Sequence, residues 1–179
     1  LALFRKYNQD ASLYRHALAV EAVMRHFAGL FNEDVEKWGI IGLIHDLDWE
    51  KWPEQHCQKT AEILTEEGWP DDWIRSVVSH GWTLVSDEEP LLRMEKVLYT
   101  IDELTGLITA TALMRPSCSL MDLGPKSVKK KWSDKRFAAG VNREIIAKGI
   151  AMLGMERDEV IEQTIAGMRN VAAALNLAG

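Results

Sequence analysis

Between Trp38 and Ile44 the chain reads Trp-Gly-Ile-Ile-Gly-Leu-Ile without one polar side chain, and it then places His45 and Asp46 directly after this run. A helix apolar on every side has no face to offer water, so this one is expected inside the fold. An imidazole and a carboxylate at the end of a buried helix are costly unless each finds a strong partner. A divalent metal ion would satisfy both at once, which makes the pair a candidate metal site.

The rest of the chain reads as helices. Leu13, Ala17, Val20, Met24, Phe27 and Phe31 recur at three- and four-residue steps behind Asp10 or Ser12 as cap, the stripe of an amphipathic helix. A second helix is expected from about Glu33 to His45. A third should run from Pro53 or Glu54 to Glu67, stopped by Gly68, and a fourth from Asp71 to His80, with Gly81 as its cap. Leu91, Met94, Leu98, Ile101, Thr105, Ile108 and Ala112 mark a long helix between Pro90 and Pro116 whose faces are both largely apolar, the signature of a central element. Beyond a loop over residues 117–125 come a short basic segment, a helix near Asn142 to Leu153, and a last one carrying Ile161, Ile165, Met168, Ala172 and Leu175. Nothing reads as a strand. The expected fold class is an all-α helical bundle, and 179 residues without repeats or Gly/Ser linkers suit a single domain.

Charge and cysteine usage bound the function. A net charge of −6 argues against a generic nucleic-acid coat protein while leaving small anionic ligands open. Cys57 and Cys118 have no closely spaced partner, so neither a disulfide framework nor a Cys-rich zinc module is expected, and a reducing cytoplasm is the simplest setting. No apolar run is long enough to cross a membrane.

Four of the five histidines fall on four different expected helices or their ends: His16, His45, His56 and His80. Asp46 and Asp102 join them. His16 borders an apolar stripe, and Asp102 is flanked one turn away by Leu98, Tyr99, Thr105 and Gly106, a wall that penalises an unpaired carboxylate. Imidazole and carboxylate suit zinc, iron, manganese, nickel or cobalt, with hydroxyls such as those of Thr105 or Tyr99 available to orient them. His26 has no place in this set and is expected to be structural.

Taken in order, Tyr14-Arg-His16-Ala-Leu, Gly42-Leu-Ile-His45-Asp46, His56, Ser79-His80-Gly81 and Ile101-Asp102-Glu-Leu-Thr-Gly106 resemble the HD-domain superfamily of metal-dependent phosphohydrolases. The resemblance covers roughly residues 10–115, leaving residues 116–179 as a helical extension. It implies an HD-type bundle with the metal site between central helices. His16, His45, Asp46 and Asp102 would bind a first ion, and Asp46 would bridge to a second held by His56 and His80. It further implies hydrolysis of a phosphate ester, of a nucleotide or small phosphorylated metabolite, by metal-activated water, with His45 and Asp46 in the catalytic centre. Lys51 follows the doublet in the stretch where some relatives place a phosphate-contacting lysine, at a different spacing, and is a candidate for that role, while Asp48 and Glu50 are candidate proton donors or ligand-orienting acceptors. Some proteins of this type, with four His and two Asp, instead hold a mixed-valent di-iron centre and oxidise their substrate with oxygen. A non-catalytic metal- or nucleotide-binding regulatory module is the third reading.

Residues 126–136 carry Lys126, Lys129, Lys130, Lys131, Lys135 and Arg136 against Asp134 alone. If this segment folds over the metal cleft, Lys129, Lys130 and Arg136 would hold substrate phosphates and Trp132 would close the site. Nucleic acid is a disfavoured partner for it. The Met and Ile stripe of the last helix reads as internal core, with room for a homodimer.

Overall fold

The computed structural model describes residues 1–134 and 136–179, and among these it is helical with no strand. The chain opens with α1 (Ala2–Tyr7), too short to show a period in sequence yet anchored by the fully buried Phe4. In α2 (Ala11–Phe31) the Asp10 carboxylate accepts from the backbone N–H groups of Ser12 and Leu13, at 2.6 and 3.1 Å. That satisfies two of the donors a helix start leaves without a partner. The helix ends at Asn32, whose left-handed conformation (φ 56°) turns the chain toward α3 (Val35–Ile44). Trp38, Ile41, Leu43 and Ile44 of α3 are buried, as an all-apolar helix requires. At Gly42 a Cβ would stand 2.8 Å from Met24 Cγ and 3.2 Å from the Glu21 Cα, so glycine is what lets α3 lie this close to α2.

The expected third helix is broken. Pro53–Gln55 form one 3₁₀ turn, His56 is extended (ψ 143°), Cys57 has φ 67°, and α4 (Gln58–Glu66) starts only then. The cause is Asp48, wholly buried, whose Oδ2 accepts from the Thr60 backbone N–H at 2.8 Å while its Oδ1 accepts from His56 Nδ1 at 2.7 Å. A carboxylate from outside the helix thus does the work of its cap, and His56 must lie before the helix to reach the same group. After α5 (Asp71–Val78), His80 likewise falls in a 3₁₀ turn, Ser79–Gly81, rather than in the helix.

The long helix α6 (Arg93–Leu113) is central as expected, packing on α2, α5 and three helices that follow it. Glu95 fixes its start: Oε2 accepts from the N–H groups of Leu91 and Leu92, and Oε1 from Arg75 and Ser76 of α5. The basic segment forms α7 (Pro125–Trp132), opened by a proline at its first position. α8 (Arg143–Leu153) lies on α6, and α9 (Arg157–Arg169) lies on α2 and α6. The chain after residue 116 therefore shares one core with what precedes it. α9 stops before Ala172 and Leu175, which are buried from the turns beyond it. Among the described residues no helix is long and apolar enough to cross a membrane.

Candidate metal centre

The helices bring to one place side chains that are up to 86 positions apart in sequence. His16 projects from the second turn of α2, His45 and Asp46 close α3, and Asp102 projects from the middle of α6. His16 Nε2 lies 3.2 Å from His45 Nε2, 3.0 Å from Asp102 Oδ1 and 3.5 Å from Asp46 Oδ2. His45 Nε2 lies 3.3 Å from Asp102 Oδ1 and 3.4 Å from Asp46 Oδ2. Donors held about 2.0–2.1 Å from one ion at tetrahedral or octahedral angles stand about 2.9–3.4 Å apart, so the four fit a single cation.

A second group adjoins the first. His56 Nε2 and His80 Nε2 are 3.0 Å apart, and each is 3.5 Å from Asp46 Oδ1. Asp46 therefore turns one oxygen to each group.

Proton assignment strengthens the case for cations. His45 Nδ1 faces the Gly42 carbonyl at 2.8 Å, His80 Nδ1 the Val77 carbonyl at 2.6 Å, and His56 Nδ1 the Asp48 carboxylate at 2.7 Å. Each partner only accepts, so each of these nitrogens carries the hydrogen, and in the neutral ring Nε2 is left with a lone pair. Three such lone pairs converge on carboxylate oxygens and on one another, an arrangement that requires positive charge between them.

Without an ion, protons take that role. Against the effect of burial, the Asp46 and Asp102 carboxylates raise His45 to about 10. Burial likewise opposes the rise of His56 to about 9, driven by its bond to Asp48. His80 also rises despite burial, chiefly through Cys57 and Asp46. Burial pushes Asp46 and Asp102 up, yet His45, with His80 or His16, holds both well below the usual carboxylate range. Imidazoles up and carboxylates down is the response of a cluster that gains by taking up cations.

Above the centre lies a cavity of about 310 Å³ lined by His16, Asp46, His56, His80 and Asp102. Trp49, Leu84, Val85 and Ile145 form its apolar wall and Glu103 its one further carboxyl group. Glu103 Oε2 accepts from the Asn142 backbone N–H at 2.9 Å, and burial raises its pKa above the ordinary value. His45 is fully buried behind this surface.

The six expected ligands thus meet, and the other expectations fare differently. Lys51 is not brought to the centre: its Nζ donates to the Lys6 carbonyl at 3.2 Å and lies 5.2 Å from the Tyr7 ring centroid, turned toward α1. Lys129, Lys130 and Arg136 are also outside it. Val128 and Trp132 are the residues of α7 that face the core, which turns the lysines outward, where Lys129 pairs with Asp158 at 2.7 Å. Trp132 carries Arg157 over its ring rather than closing the cavity. Lys135 lies outside the described residues. Asp48 orients His56, whereas Glu50 accepts from the Gln9 and Asp10 N–H groups, away from the centre. Thr105 donates to the Asp102 carbonyl, not its carboxylate, and His26 is structural, bonded to Gln163 at 2.8 Å.

Two residues of the site escaped sequence reasoning. Glu103 follows Asp102 on a helix whose other neighbours are largely apolar, and that was its only signal. Cys57 is buried beside His56 and His80, with its thiol lowered, against burial, to about 6 by the two imidazoles. No family model matches the chain, and no curated protein or solved structure matches it.

Proposed function

We propose that the protein is an HD-type, metal-dependent hydrolase of phosphate esters acting on a small phosphorylated metabolite or nucleotide. The observation that carries this reading is the division of Asp46, one oxygen facing His16 and His45 and the other facing His56 and His80. A carboxylate so placed would hold two cations side by side. Two divalent ions there supply a Lewis acid for a phosphoryl oxygen and a water made acidic enough to attack at neutral pH.

The chain's own groups do the rest. Asp48 keeps His56 in the tautomer whose Nε2 faces the centre, and the Gly42 and Val77 carbonyls do the same for His45 and His80. Glu103 lines the cavity with one oxygen engaged by Asn142, so its other oxygen can carry a proton to the departing alkoxide. Trp49, Leu84 and Val85 form a partly exposed apolar rim on one side. Trp49, Leu84, Val85 and Ile145 line the cavity beside the donors, and these apolar side chains would receive the part of the substrate that carries no phosphate. A space of about 310 Å³ suits a small ester better than a polymer.

The test is a phosphatase screen across zinc, manganese, iron, nickel and cobalt, with His45→Ala and Asp46→Ala as controls. Metal-dependent phosphate release lost in both variants is the expected result. Release unaffected by either change removes these residues from the mechanism. The same set of four imidazoles and two carboxylates also suits, as a second reading, an oxygen-dependent di-iron enzyme. Two irons per chain, colour after anaerobic purification and substrate-dependent oxygen consumption without phosphate release would select it.

A further inference from the structure

The second half of the centre contains a donor that the His and Asp pattern does not include. We infer that Cys57 is a ligand of the second cation, its thiolate joining His56, His80 and Asp46. The inference rests on the metal-centre reading above and adds a prediction about which metal that position takes.

Three observations lead to it. First, the ligating atoms of His56, Cys57 and His80 all lie within 4.8 Å of one another, with Cys57 Sγ 4.0 Å from His80 Nε2. A sulfur about 2.3 Å and a nitrogen about 2.1 Å from one ion stand about 3.6 Å apart in tetrahedral geometry, so a small rotation of the cysteine closes the set.

Second, the backbone is bent to permit it. Side chains of adjacent residues ordinarily diverge, yet His56 and Cys57 converge because Cys57 adopts φ 67° and ψ −38°. A non-glycine residue in that region carries strain of about 1–3 kcal/mol. Glycine would adopt the same bend without it, so the position retains a side chain at a cost, and that side chain ends in the sulfur.

Third, the surroundings reserve space for the sulfur. At Gly81 a Cβ would stand 2.7 Å from Cys57 Sγ and 2.7 Å from Val85 Cγ2, so any larger residue after His80 would displace the thiol from the pocket. Cys57 is itself 1% exposed, and the polar groups beside its sulfur are the imidazoles of His80 and His56.

The two positions would then differ in kind. The first offers two imidazoles and two carboxylates, a set that can hold manganese as well as zinc. The second, with a thiolate, favours zinc, iron or cobalt over manganese and magnesium. Binding there displaces the thiol proton to solvent as the Sγ–metal bond forms.

Co²⁺ is the probe, added to reduced, metal-free Cys118→Ser protein so that Cys57 is the only thiol. The expected result is two equivalents bound, one of them bringing a thiolate-to-cobalt charge-transfer band in the near ultraviolet. Cys57→Ala in the same background should lose that band and bind one equivalent at least 10-fold more weakly, leaving the other unchanged. X-ray absorption of the Cys118→Ser protein should place one sulfur on half of the cobalt, a readout that holds even if the alanine variant folds poorly. Two equivalents without the band, or a band that survives Cys57→Ala, overturns the assignment alone. Failure to bind any Co²⁺ overturns the metal-centre reading together with it.

Discussion

The two halves of the centre are built differently. His16 and Asp102 project from within 21-residue helices, and His45 and Asp46 end a third, so the first set of donors stands on a rigid frame. His56, Cys57 and His80 stand on 3₁₀ turns and on a bent residue, held by a few specific hydrogen bonds. Donors on long helices need only the core to stay in place. Donors on turns depend on the particular groups that tie them, Asp48 above all. The first position should therefore tolerate neighbouring changes that the second does not.

The sharpest way to break this comparison is to remove the residue common to both halves. Asp46→Asn takes away the negative charge that would face two cations, and on the hydrolase reading we expect phosphate release to fall roughly 10³-fold, the equivalent of several kcal/mol of transition-state stabilisation. Steady-state assays at saturating metal, paired with metal analysis, measure it. Wild-type turnover with two metals retained would show that the shared carboxylate is dispensable.

Asp48→Asn tests the turn-borne half alone. Two N–H groups face the Asp48 carboxylate, from His56 and Thr60, and an amide can accept from only one of them with its oxygen while its NH₂ confronts the other. Losing the acceptor behind a metal-binding histidine typically costs 10- to 100-fold in affinity. Calorimetric titration should show that loss for one equivalent and none for the other. Equal weakening of both would mean that the halves are not independent.

The same contrast explains what the sequence disclosed. His16 and Asp102 were legible because a helix repeats, so that a polar residue among apolar neighbours betrays its inward direction, and His45 and Asp46 because they close an all-apolar run; their grouping into one set came from the order of the motifs and the resemblance they carry. The all-α class and the central place of α6 followed from the same periodicity. His56 was placed in a continuous helix because nothing local announces that Asp48, eight residues earlier, ends the 3₁₀ turn and starts α4. Cys57 was invisible for the same reason, since its relevance comes from a backbone angle that no residue pattern encodes. Lys51, Lys129, Lys130 and Arg136 were misplaced because a lysine's charge says nothing about which face of its helix or turn the core will take. Val128 and Trp132 decided that for α7.

Smaller effects should reveal the frame. Glu95 joins α5 to the start of α6, and Glu95→Gln replaces charge-assisted bonds to Arg75 and two backbone N–H groups by neutral ones, costing about 2 kcal/mol of stability. Although burial opposes it, the Leu92 N–H and Arg75 hold Glu95 below its ordinary value of 4.5. A carboxylate depressed in the folded state stabilises fully above its unfolded pKa and loses that contribution as pH falls through its folded one. Denaturant unfolding of the wild type should therefore weaken below about pH 4.5, and the variant should lose the part of that slope due to this group. An unchanged acid limb would remove Glu95 from the account.

Asn142→Ala should have the least effect. The Asn142 side chain caps α8 by accepting from the Glu144 and Ile145 N–H groups, at 3.1 and 3.2 Å, and such caps contribute about 1 kcal/mol. Its backbone N–H, which holds Glu103, survives the substitution. Stability should therefore drop slightly while both metals stay bound, because no ligand of either half stands on α8. Ile145, in the first turn of α8, lines the cavity, so fraying there should loosen the apolar wall and raise KM a few-fold with kcat little changed. A large fall in kcat instead would mean that Asn142 positions Glu103 through its side chain as well as its backbone, and that the wall and the proton donor form one unit.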